Sequence, residues 1–210
     1  MKSENKFSKE YYSLINEYKN AHKKGIQKND YFLSNNITFD GKSLEPWIQN
    51  IKKIIINTNS KNILDYGCGK AKFYKNQIQI DKRKYNGLAD YWDVEEIKLF
   101  DPGVEEYEGY PDKKYDGVIC TDVLEHISTT DLENVVKDIF NFSNKFVFFV
   151  ISTILDQKIL SDGRNVHQTV QNEEWWKQFF SKINCDFKII NSFVILTNLG
   201  DNSDIVKRII

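Results

Sequence analysis

Six short apolar runs, each closed by a turn, mark the chain from residue 62 onward: "NILDYG", "IKLFD", "YDGVICTD", "KFVFFVIS", "DFKII" and "SFVILTN". Runs of this length, rich in Ile, Val and Phe, predict buried strands. Between the third and fourth, "TDLENVVKDIFNFS" spaces its apolar residues three and four apart. Between the fourth and fifth, "NEEWWKQFFSKI" does the same, so both predict helices. Upstream, residues 8–24 place Tyr11, Leu14, Ile15 and Tyr18 on one helical face. Residues 44–57 do so with Leu44, Trp47, Ile48, Ile51, Ile54 and Ile55. Strands alternating with helices predict an α/β fold, a doubly wound and mainly parallel sheet with helices on both faces. The helical stretch ahead of the first strand divides the chain into an N-terminal extension or lid, residues 1–58, packed on a core of residues 59–210. No internal repeat or Pro- or Gly-rich linker interrupts this single domain. Ligands of such sheets bind at the C-terminal ends of the strands.

The polar residues at those ends carry the candidate chemistry. "NILDYGCGKAKF" is a strand ending in Asp65, then a tight turn with Gly67 and Gly69, then an expected helix. Glycines there let backbone approach a ligand closely. An acid beside the turn suits a ligand bearing an ammonium group, with exposed turn amides meeting a carboxylate. That combination describes the amino-acid half of S-adenosylmethionine; the plain alternative is an ordinary strand–turn–helix. The second strand ends in Asp101, placed to accept both ribose hydroxyls. Its spacing from Asp65 is 101 − 65 = 36 residues, and "KRKYNGLADYWDVEE" reads as an insertion filling the gap. Asp81, 81 − 65 = 16 residues on, is the rival and follows a weaker strand. Thr121 and Asp122 stand at the exit of the third run, followed by "LEHI".

Taken in order, "LDYGCG", the intervening acid and "YDGVICTDVLEHI" resemble class I S-adenosylmethionine-dependent methyltransferases, over roughly residues 60–155. With "TFDGKSL" before and "DGRNVHQTV…WW" after, the pattern is similar to a group of small bacterial and phage enzymes of that kind. The resemblance implies a Rossmann-like, seven-stranded sheet and S-adenosylmethionine as cofactor, with S-adenosylhomocysteine as product. It implies that Asp65, Gly67 and Gly69 meet the methionine part and Asp101 the ribose, and that Thr121 and Asp122 line the methyl-transfer point. Ala71 stands where the family carries a third glycine.

Methyl transfer requires an acceptor lone pair behind the methyl group and, for a hydroxyl, loss of its proton. His126, just after the third run, has an ordinary pKa suited to a base. The loop "SDGRNVHQTV" holds one of three arginines and one of three histidines. Following the fourth run, it belongs to the same rim, so Arg164 and His167 join His126 as candidate catalytic residues. Arg164 offers a fork for a carboxylate or phosphate. A solvated turn in which Asp162 pairs with Arg164 is the alternative. Trp175 and Trp176 read as core and rim of a helix.

Bulk properties narrow the partners. A net charge of −1 and no basic tract argue against nucleic acid. No apolar run approaches a membrane span, and "MKSENKFSKEYY" has no signal-peptide core. Cys68, Cys120 and Cys185 are far apart, as reduced thiols of a cytoplasmic protein would be, and no ligand spacing predicts a metal. The expected activity is methyl transfer, O-directed, to a small molecule or a glycan or nucleotide-linked precursor. The rivals are an RNA or protein methyltransferase, a non-catalytic S-adenosylmethionine-binding relative, and an enzyme using NAD or a nucleotide sugar on the same sheet.

Overall fold

The computed structural model describes residues 6–184, 191–197 and 207–208. Its elements, in chain order, are α1 (Lys9–Lys24), β1 (Ile26–Lys28), β2 (Tyr31–Leu33), a 3-10 turn over Lys42–Trp47, α2 (Ile48–Thr58) and β3 (Asn62–Tyr66). Next come α3 (Lys72–Lys75), β4 (Ile78–Ile80), β5 (Arg83–Tyr85), α4 (Leu88–Trp92), β6 (Glu96–Phe100) and β7 (Tyr115–Thr121). A 3-10 turn over Leu124–His126, α5 (Thr129–Asn141), β8 (Ser143–Ser152), β9 (Lys158–Ile159), α6 (Glu173–Asn184), β10 (Asn191–Thr197) and β11 (Lys207–Arg208) complete the chain.

The central sheet has the order β11-β10-β8-β7-β3-β6. Five of these strands run parallel, and β11 pairs antiparallel with β10 at the edge. The sheet is thus doubly wound and mainly parallel, with six strands described; the expected strand "DFKII" and Cys185 lie outside the described residues. Alternation along each strand splits the apolar residues between two layers, because successive side chains point to opposite faces. Leu64, Val118, Cys120, Val147 and Phe149 pack under α5 and α6. Ile63, Ile119, Phe146, Phe148 and Val150 pack under α2 and α4. Trp176 is fully buried in the first layer and Trp175 packs partly buried against it, the core-and-rim arrangement the sequence predicts.

Two local expectations change. The helix after the glycine turn is a single turn, α3, because Ala71 and Asn76 at its two ends leave helical geometry. The stretch between the first two parallel strands folds as the β4–β5 hairpin followed by α4, whose Trp92 donates to the Ile48 carbonyl at 3.0 Å.

The N-terminal segment crosses the C-terminal ends of the strands. Ser8 caps α1, accepting from the Tyr11 amide at 3.1 Å, and its own amide donates to Asp131 at the start of α5 at 2.8 Å. At the other end β1 pairs with β9, which ties α1 to the loop after β8.

Candidate functional site

Between α1 and the ends of β3, β6 and β7 lies a pocket. Gly67, Gly69, Asp101, Thr121, Asp122 and His126 line its floor and sides; Tyr11, Leu14, Ile15 and Tyr18 of α1 line the roof. The predicted cofactor residues meet here with one exception. Asp65 is 3% exposed and lies outside the pocket lining, accepting from the Tyr74 hydroxyl at 2.6 Å. Burial pushes its carboxyl up to about 7, against the lowering effect of the Tyr74 bond. Asp65 is thus bonded to Tyr74 of α3 and stands outside the pocket lining.

The glycines are required by geometry. Gly67 has φ +89°, and a Cβ there would sit 2.3 Å from Val123 Cγ2. Gly69 has φ +55°, and a Cβ would sit 2.5 Å from the Phe39 carbonyl oxygen. L side chains rarely adopt such φ values. The turn amides are not free to meet a ligand carboxylate, contrary to the sequence reading. Those of Gly67 and Cys68 donate to the Phe100 carbonyl at 2.7 and 3.2 Å, and that of Lys70 to the Phe39 carbonyl at 3.1 Å. The segment "TFDG" thus straps the turn down.

Asp101 lines the pocket. One carboxylate oxygen accepts from the Gly69 amide and the other from the Gly103 amide, both at 2.8 Å. Burial raises its pKa, opposed by those two bonds and by Lys70. Each oxygen keeps a second lone pair. Asp81, by contrast, lies in the exposed β4–β5 turn and does not line the pocket.

On the acceptor side the histidines separate from the arginine. Arg164 is not brought to the pocket: Asp162 takes its Nε at 2.8 Å, and Glu10 of α1 lies 3.9 Å from its Nη1. This half of the loop seats α1, with Ser161 bonded to Glu17 and the Tyr18 hydroxyl donating to the Val166 carbonyl at 2.7 Å. His126 and His167 do come together, with ring centroids 4.8 Å apart. Burial pushes His126 down to about 3, so its ring stays neutral at any ordinary pH and is a weaker base than its type suggests. His167 is 6% exposed behind it, outside the pocket lining.

Three further residues belong to the site: Tyr18 and His22, which the sequence places on a segment that could lid it, and Glu125, whose part the sequence does not show. Tyr18 meets His126 Nδ1 at 3.0 Å, and His22, held near a pKa of 3 by burial and then Lys70, accepts from Lys70 at 3.0 Å; both line the pocket. Glu125 is fully buried; its backbone carbonyl accepts from the Gln168 and Thr169 amides at 2.7 and 2.9 Å, joining the two acceptor-side loops. Burial, then Asp122, raises its pKa well above that of an ordinary glutamate. Its one signal was a charged residue inside the apolar stretch "VLEHI".

Thr121 and Asp122 stand at the exit of β7, and Asp122 holds a left-handed backbone, φ 61°. Non-glycine residues in that region cluster at functional sites. No curated protein and no solved structure matches the chain. A family model described as a methyltransferase domain matches residues 39–187, from the "FDG" strap through β3, β6, β7 and β8 and past α6. Covering more than half the sequence and the whole pocket floor, that match shows that the chain belongs to the family of methyltransferase domains.

Proposed function

We propose that the protein transfers a methyl group from S-adenosylmethionine to an oxygen of a small molecule or a glycan or nucleotide-linked precursor. One observation carries this reading: a single roofed pocket gathers the glycine turn, the acid after the second parallel strand and the polar exit of β7. The residues fit the cofactor. Gly67 and Gly69 offer side-chain-free backbone at the pocket wall, and Asp101 has lone pairs left for two ribose hydroxyls. When bound, the cofactor supplies an electrophilic methyl on a sulfonium. The chain's own part is to hold the acceptor in line, to exclude water under α1, and to manage the acceptor's hydroxyl proton. Thr121, Asp122 and His126 line the pocket with His167 packed behind His126, which supports assigning them to the transfer side.

The roof favours a small acceptor over a polymer. Tyr11, Leu14 and Ile15 of α1 lie over the pocket, and we read that cover as suiting a small acceptor. With Arg164 engaged by Asp162 and Glu10, an anionic group on the acceptor loses its expected partner. A methyl-transfer screen with S-adenosylmethionine, read by mass spectrometry, tests the reading. Nucleotide-linked sugars and small hydroxylated metabolites should include an acceptor that gains one methyl group. Methylation of RNA or protein alone would assign the rival acceptor class, and no transfer with intact cofactor binding would leave a binding protein.

A further inference from the structure

The loops after β7 and β8 bring Asp122, His126 and His167 together, with one potential ligand atom from each within 4.8 Å of the other two. We propose that these three side chains form a site for a divalent transition-metal ion whose open positions face the pocket. The hydrogen bonds around the two imidazoles support this independently of the clustering. His167 Nδ1 lies 2.6 Å from the Ile154 carbonyl oxygen, which can only accept, so Nδ1 carries a hydrogen and Nε2 is the nitrogen that can offer a lone pair from the neutral ring. The Tyr18 hydroxyl gives its single hydrogen to the Val166 carbonyl at 2.7 Å. Toward His126 Nδ1, 3.0 Å away, it therefore accepts, and His126 is also the Nδ1–H tautomer. Both rings turn a bare Nε2 away from an oxygen-anchored Nδ1, as metal-ligating histidines do.

His167 Nε2 is buried and has no hydrogen-bond partner among the described residues. The carboxylate of Asp156 lies 3.7 Å from it, beyond hydrogen-bonding reach, and is paired with Lys158. The buried Nε2 of His167 thus belongs to a residue clustered with a second imidazole and a carboxylate, a donor set that suits a cation. Ligands about 2.1 Å from a tetrahedral ion lie ~3.4 Å apart, so closure requires the three ligand atoms to draw together by up to ~1.4 Å, within the reach of side-chain rotation. Two imidazole nitrogens and one carboxylate oxygen suit Zn2+ or Fe2+ better than the oxygen-seeking Mg2+ and Ca2+. Asp122 and His126 line the pocket while His167 stands behind, so the ion's remaining positions open on the acceptor side. The site's role rests on the proposed function. An ion held there would lower the pKa of an acceptor hydroxyl beside it, so that the proton could pass to water without either histidine serving as base.

The sequence hid this set. Asp122 and His126 are four residues apart, but His167 comes 41 residues after His126, on another loop. The test is a calorimetric titration of the metal-stripped full chain with Zn2+, followed by 15N resonances of the imidazoles. One equivalent should bind, shifting Nε2 of His126 and His167 while their Nδ1–H signals persist. Asp122→Asn, at an exposed position where folding is not at stake, should weaken binding at least tenfold, as should His167→Gln. No saturable binding, unchanged affinity in both variants, or shifts confined to other groups would overturn the site. The titration is repeated with S-adenosylmethionine. Zinc binding without cofactor binding would overturn the proposed function alone, and cofactor binding without zinc binding would overturn this inference alone.

Discussion

Single residues set the shape of the pocket floor, and two of them give sharp tests. At Gly67 both the left-handed backbone and the contact with Val123 exclude a side chain. Gly67→Ala should destabilise the fold by roughly 1–3 kcal/mol and weaken cofactor binding. Gly67→Ala/Val123→Ala should recover the steric share but not the backbone share, a split that denaturant unfolding of the three proteins would resolve. Asp65 gives a pH test. Its folded pKa of about 7 lies above the ordinary 3.8, so the protonated form is preferred in the folded protein. The stability this group contributes is fully present below about 3.8 and is lost as pH rises through about 7. Between those limits wild type should lose up to about 1.4 kcal/mol per pH unit relative to Asp65→Asn, whose carbonyl still accepts from Tyr74. Parallel pH–stability curves for the two proteins would show that Asp65 titrates normally.

At the scale of elements, α1 is held by buried apolar area more than by charge. Leu14 is 2% exposed in a cluster with Ala21, Ile26, Leu160 and Val166. Arg164 and Glu10 meet near the surface at 3.9 Å, where ion pairs contribute little. Thermal unfolding should therefore show Leu14→Ala losing roughly 2–5 kcal/mol and Arg164→Ala less than about 1 kcal/mol. A large loss in Arg164→Ala would mean that the loop's charge, not the packed face of α1, seats the roof. The helical face of α1 was legible in the spacing of Tyr11, Leu14, Ile15 and Tyr18, because periodicity reports burial directly. What that face covers was not legible, since the sequence does not say which apolar surface a helix meets. The same limit explains Arg164. Its position after β8 placed it on the correct rim, but only the fold shows that Asp162 and Glu10 turn it toward α1 and away from the pocket.

Across the whole molecule, the parallel order of the sheet followed from buried strands alternating with helices, and Asp101, Thr121, Asp122 and His126 converge because each ends or follows a strand. The pattern failed where local chemistry was set by distant backbone. The Phe100 carbonyl takes the Gly67 and Cys68 amides, Phe39 and Asp40 of the strap take those of Lys70 and Lys72, and Tyr74 bonds Asp65 outside the pocket lining. No described helix is long and apolar enough to cross a membrane. The central claim is that the pocket at the ends of β3, β6 and β7 holds S-adenosylmethionine through Asp101, and calorimetric titration of wild type and Asp101→Ala tests it most directly. Wild type should bind one equivalent of S-adenosylmethionine and should not bind NAD. Losing the charged acceptor costs about 1.5–3 kcal/mol, so the variant should bind about ten- to a hundredfold more weakly. No binding by wild type, or equal affinity in the two proteins, would contradict the account.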